Sequence, residues 1–62
     1  MPKEREVRRI VRRFRKEGWI ERWGKGDHLV FSRGEVTISV PVAYRELPMG
    51  TYRSIARRAG WL

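Results

Sequence analysis

The chain has 62 residues, no cysteine and one histidine, and its fifteen Lys and Arg against seven Asp and Glu give a net charge of +8. A chain this short buries only about 60% of the surface it exposes when unfolded, which points to a single domain, residues 1–62, with a thin core and no deep pocket. Without thiols there is neither a disulfide framework nor a thiolate metal site, and a lone His cannot build a metal site by itself. No metal and no cofactor are therefore expected, and the positive charge directs attention to nucleic acid, an anionic membrane or an acidic protein.

Residues 1–6 contain no apolar export segment, and no apolar run approaches the roughly 20 residues of a membrane span, so a cytoplasmic address without membrane association is expected. Over residues 3–17, Val7, Ile10, Val11 and Phe14 fall at i, i+3, i+4 and i+7, the apolar stripe of a helix whose remaining surface is filled by Arg8, Arg9, Arg12, Arg13, Arg15 and Lys16. Gly18 suits the left-handed position just past the helix end, with Trp19 placed to fold back on Phe14. Residues 19–23 and 28–32 read as two strands joined through Gly24-Lys25-Gly26-Asp27, whose glycines permit positive φ. Arg33-Gly34 reads as the next turn. Residues 35–40 then alternate Val36, Ile38 and Val40 with Thr37 and Ser39, a half-buried strand that Pro41 is expected to end.

Residues 42–47 read as an irregular connection carrying Tyr44 and Arg45. Pro48 suits the first turn of a second helix, Thr51 reads as its cap, and Tyr52, Ile55, Ala56 and Ala59 form its apolar stripe before Gly60 and Trp61 repeat the ending of the first helix. Trp19, Trp23, Tyr52 and Trp61 are assigned to the core, with Trp23 also a candidate plane for stacking an unpaired base. The expected class is α+β, in the order α-β-β-β-α: a three-stranded antiparallel sheet with both helices on one face.

This order, together with Gly18-Trp19, the Gly26-Asp27-His28 turn with Phe31 three residues on, Val36-Thr37-Ile38-Ser39-Val40-Pro41 and Glu46-Leu47-Pro48-Met49-Gly50-Thr51-Tyr52-Arg53-Ser54-Ile55 running to Ala59-Gly60, resembles the HicA-type (YcfA-like) mRNA interferase toxins of prokaryotic toxin–antitoxin pairs. The resemblance covers nearly the whole chain. It implies a double-stranded-RNA-binding-domain-like fold, endoribonucleolytic cleavage of mRNA, a catalytic histidine at His28, and neutralisation by a HicB-type antitoxin. Members often carry a second His directly after the catalytic one and another shortly after the Val-Pro. Here those places hold Leu29 and Ala43 or its neighbours.

RNA is cut without metal when a base takes the 2′-OH proton, the alkoxide attacks phosphorus and cations stabilise the phosphorane, leaving a 2′,3′-cyclic phosphate. His28 is the candidate base, since histidine has an ordinary pKa of about 6.5. The second acid–base role falls to water, Lys25 or Asp27. Lys25, Arg8, Arg12, Arg15, Arg53 and Arg57 are the candidate RNA-binding residues. The plainer alternatives are a partly exposed histidine at a strand start, ordinary turn residues and a solvated arginine face, which together describe a non-catalytic RNA- or DNA-binding module. A cationic membrane-surface peptide accounts for the first helix only. For the antitoxin that the resemblance implies, the charge of +8 predicts a net acidic protein that covers the His28 turn and the basic surface around it.

Overall fold

A computed structural model describes residues 3–62; Met1 and Pro2, the first part of the opening stretch, lie outside the described residues. The elements run α1 (Val7–Lys16), β1 (Ile20–Trp23), β2 (His28–Arg33), β3 (Val36–Pro41) and α2 (Met49–Ala59). The three strands form one antiparallel sheet in the order β1-β2-β3. Side chains alternate across β2, so Leu29 and Phe31 enter the core with Ile38 and Val40 of β3. The same core takes Val7, Ile10, Val11 and Phe14 from α1 and Ile55 and Ala59 from α2. Both helices therefore lie on one face of the sheet, and the fold is the α+β, double-stranded-RNA-binding-domain-like arrangement expected from the sequence.

Phe14 is fully buried at the centre of this core. Its ring stacks on Phe31 of β2 at 4.4 Å and 8°, meets Trp19 edge-on at 5.1 Å and 85°, and touches Trp61 at 4.7 Å. Both helices end in the same device. After α1 the Gly18 N–H donates to the Arg15 carbonyl and the Trp19 N–H to Phe14, and after α2 the Gly60 N–H donates to Arg57 and the Trp61 N–H to Ala56. With the glycines at φ 82° and 81°, these are paired Schellman endings, and each delivers a tryptophan to the aromatic cluster.

Several boundaries differ from the sequence reading, each for a local reason. The first helix begins at Val7, not residue 3, because the backbone around Glu6 pairs with the connection before α2: Glu6 bridges Glu46, Val7 N–H donates to the Arg45 carbonyl at 3.0 Å, and Leu47 N–H donates to Arg5 at 2.8 Å. The residue-42–47 connection is thus a pinned strap. Trp19 lies before β1, drawn into the core by its helix-end bond. The second turn is Gly34-Glu35, since Arg33 and Val36 pair as the last rung of the hairpin. Pro41 is the final residue of β3, opposite His28, a place open to proline because β3 is an edge strand. Thr51 does not cap α2; Pro48, with ψ 149°, occupies the N-cap and its carbonyl accepts from Tyr52 N–H at 2.9 Å. Trp23 is 68% exposed at the outer edge of the sheet, so its assignment to the core is corrected, whereas Trp19 is buried and Tyr52 and Trp61 are half-buried. Among the described residues no helix is long and apolar enough to cross a membrane.

The C-terminal end is tied down by charge as well as packing. The Trp61 indole N–H donates to Glu17 at 2.9 Å, and Arg13, stacked 4.3 Å from the Trp61 ring centroid, donates to the other Glu17 oxygen at 3.0 Å. These bonds, the indole's foremost, hold the Glu17 carboxyl below the usual carboxylate range. A depressed folded pKa gives stability that is present above the unfolded value, about 4.3, and is lost as pH falls through the lower folded value. Thermal unfolding followed from pH 7 to 2 should therefore show melting temperature falling below about pH 4.3, with a shallower fall in Glu17→Gln. Equal slopes in the two proteins would remove this linkage.

Candidate functional site at the His28 turn

His28 opens β2, on the sheet face turned away from the helices, since its neighbour Leu29 is buried in the core. The turn before it is tightly made. Gly24 N–H donates to the His28 carbonyl at 2.8 Å, and a Cβ on Gly24 would stand 2.7 Å from Val30 Cγ2, so only glycine allows this approach. Gly26 takes φ +65° to bring the chain round. Beyond the turn, Val42 N–H donates to the Asp27 carbonyl at 2.8 Å, which fastens the strap to the base of the His28 turn.

The imidazole is exposed, and its Nδ1 lies 3.2 Å from the Lys25 carbonyl oxygen. A carbonyl only accepts, so in this contact Nδ1 carries the proton. In the neutral ring the lone pair then resides on Nε2, as a base requires. His28 lines an open concavity with Lys25, Asp27, Pro41, Ala43 and Tyr44. The Lys25 main chain thus contacts the ring, and Lys25 is itself one of the residues that line the concavity.

The helix arginines divide between two faces. Arg8, Arg12 and Arg15 line a second groove together with Tyr44 and Arg45 of the strap, whereas Arg9, Arg13 and Lys16 line a depression with Tyr52 and Trp61; Arg12 reaches both. The three arginines singled out in the sequence thus share one groove. They are not equivalent. Arg15 donates to both Glu21 oxygens, at 2.6 and 2.8 Å, and these bonds hold the Glu21 carboxyl below its usual range. Its guanidinium is already engaged, although in an exposed pair of the kind that contributes little to stability. Arg8 stands 3.7 Å from Glu6 with its side chain 82% exposed. Arg53 and Arg57 project from the exposed side of α2, and neither lines the His28 concavity.

Residues 7–61, from the first residue of α1 to the tryptophan after α2, match the family model described as the HicA toxin of bacterial toxin–antitoxin. The chain belongs to the HicA toxin family. No curated protein and no solved structure gives a significant match. Membership gives this HicA-family chain a toxin's role in a toxin–antitoxin pair and implies an antitoxin as its partner.

Around His28 the toxin also places residues that the sequence reading passed over. Arg22 faces the same side of the sheet, opposite Val30 and diagonal to His28, and Ser39 flanks Val30 from β3. The period-2 alternation counted out from His28 contains the signal for both. Tyr44 and Arg45 had no such signal, because no periodicity governs a connection. Among the described residues no three His, Cys, Asp or Glu side chains converge as a metal would require.

The tautomer is directly measurable. Long-range ¹H–¹⁵N correlation at a pH where the ring is neutral should show His28 protonated at Nδ1 and free at Nε2. The reverse, with Nε2 protonated, would contradict the Lys25 contact.

Proposed function

We propose that this toxin is an endoribonuclease that cuts mRNA in the cytoplasm by histidine-assisted attack of the 2′-OH. The observation that carries the reading is the contact of His28 Nδ1 with the Lys25 carbonyl, which in the neutral ring puts the lone pair on Nε2 of an exposed imidazole that lines an open concavity with Lys25. In the proposed reaction Nε2 takes the 2′-OH proton and the alkoxide attacks the adjacent phosphorus. The P–O5′ bond then breaks to leave a 2′,3′-cyclic phosphate and a 5′-OH, the departing oxygen receiving a proton from water or from the imidazolium. In this reading Lys25 offsets charge on the phosphorane, while Arg8, Arg12 and, on exchange of Glu21 for a phosphate, Arg15 hold the chain; the support is that Lys25 lines the His28 concavity and the three arginines share one groove. Base, nucleophile and cation are supplied by the protein and the RNA, so the route draws on no metal ion.

The open site explains why a covering partner is needed. An acidic HicB-type antitoxin laid over the His28 turn and the arginine groove would associate quickly through complementary charge and exclude RNA by contact. Arg53 and Arg57, on α2, are proposed as outlying phosphate contacts.

The deciding experiment compares an mRNA with its all-deoxy counterpart, in EDTA, for wild type and His28→Ala. The wild type should cleave RNA in the chelator and leave the all-deoxy strand intact. His28→Ala should lose about 10²- to 10⁴-fold in rate with an unchanged melting temperature, because the ring is exposed and contributes nothing to the core. Full activity in a folded His28→Ala protein would overturn the mechanism. Salt-sensitive RNA binding without turnover in the wild type would leave a non-catalytic nucleic-acid-binding module.

A further inference from the structure

The two grooves described above meet at one residue. Tyr44 lines both the His28 concavity and the arginine groove, and it is half-exposed, with about 50% of its surface accessible. Its position is fixed from both sides. Val42 N–H holds the strap to Asp27 at the foot of the His28 turn, and the Arg45 carbonyl accepts from Val7 N–H at the start of α1. The Glu6–Glu46 bridge and the bond from Arg5 Nη1 to the Leu47 carbonyl at 3.2 Å continue the attachment. An aromatic side chain on so well-held a backbone, exposed between a base and a row of guanidinium groups, is unexplained by the core, which it does not join.

Building on the endoribonuclease reading, we infer that Tyr44, with Pro41 beside it, is the stacking platform for a nucleobase of single-stranded RNA next to the scissile phosphate, and that Arg45, Arg8 and Arg12 receive the phosphates leading away from it. The chemistry of the two grooves supports this division. The His28 concavity presents the apolar residues Pro41 and Tyr44 with one lysine and one aspartate, Asp27, so its charges balance, whereas the groove along α1 is bounded by guanidinium groups. A duplex keeps its bases stacked on one another and offers none to a tyrosine ring; an unpaired strand offers base and backbone together. Glu6 lies in the same groove, but its carboxylate oxygen is buried and stands 3.7 and 3.8 Å from Arg8 and Arg9, so it meets these arginines from below. Tyr44 is accordingly a positioning residue: it holds the ribose so that the 2′-OH reaches His28, and no proton passes through it.

The test uses the full chain and a single-stranded RNA oligonucleotide, with Tyr44→Ala, Tyr44→Leu and Tyr44→Phe. Losing the aromatic plane should weaken binding roughly 5- to 150-fold, in both Tyr44→Ala and Tyr44→Leu, read as a rise in KM and as weaker binding of the all-deoxy strand. Tyr44→Phe should retain wild-type values, since stacking needs the ring and not the hydroxyl. Leu replaces the apolar bulk without the plane, so a variant that failed by altered packing would be rescued by it, and that rescue would overturn the proposal. An oligonucleotide abasic at the stacked position should bind wild type and Tyr44→Ala equally. Arg45→Ala should lower the slope of log affinity against log salt by about 0.7, one phosphate of a single strand. Unchanged KM and unchanged all-deoxy binding in Tyr44→Ala, beside a wild type that cleaves, would reject the platform alone. A wild type that binds through Tyr44 but cleaves nothing would reject the endoribonuclease reading and keep the platform.

Discussion

The stack of Phe14 on Phe31 joins the arginine-rich helix α1 to the strand that starts at His28. In a chain of 62 residues the whole stability amounts to roughly 3–9 kcal/mol, and truncation of a buried Phe costs about 3–5 kcal/mol. The Phe14 side chain therefore accounts for a large share of the fold's stability, and its stack on Phe31 ties the basic helix to the strand that bears the imidazole. Trp19 and Trp61 close on the same ring from the ends of the two helices, so the helix endings and the core are a single construction.

The charge of +8 is not evenly available to a ligand. Arg13 is committed to Glu17 and to the face of Trp61, Arg15 to Glu21, and Arg33 lies over Trp19 at 4.3 Å. Arg58 donates to the Thr37 carbonyl at 2.8 Å. Such arginines support the fold with their guanidinium groups as well as their stems. Positive charge lines the groove of Arg8, Arg12 and Arg45 and also stands at Lys25 by the His28 turn. The strap of residues 42–47 connects these two places. Its backbone bonds reach the His28 turn at one end and the start of α1 at the other, a distribution that makes the site a property of the fold and not of one flexible loop.

Much of the architecture was legible because it rests on periodicity and on two local rules. The i, i+3, i+4, i+7 stripes of both helices, the alternation through β3, and the Gly-Trp endings all translate directly into packing. What was not legible depends on contacts far apart in sequence. Helix α1 begins at Val7 because residues 5–7 pair with residues 45–47, and no local feature of residues 3–6 announces that partner. Trp23 carries the composition of a core residue but sits on an edge strand whose helix-facing side is left uncovered. At the site, His28 could be singled out as the one histidine of the chain, while its orientation by the Lys25 carbonyl is a matter of turn geometry that spacing alone does not contain. Tyr44 and Arg45 stood in a segment without pattern, and only the strap's attachments show that they border His28 and the arginine groove.

The central claim is that the proposed base, His28, and the groove proposed to hold phosphates form one continuous surface bridged by the strap. Titration of the ¹⁵N-labelled chain with a 2′-O-methyl RNA oligonucleotide, which lacks the nucleophile, tests it most directly. The account predicts amide and side-chain shift changes that run unbroken from Lys25 and His28 through Tyr44 and Arg45 to Arg8 and Arg12. A footprint confined to the outer side of α2, or to the Trp61 face of α1, with His28 and Tyr44 unmoved, would contradict it.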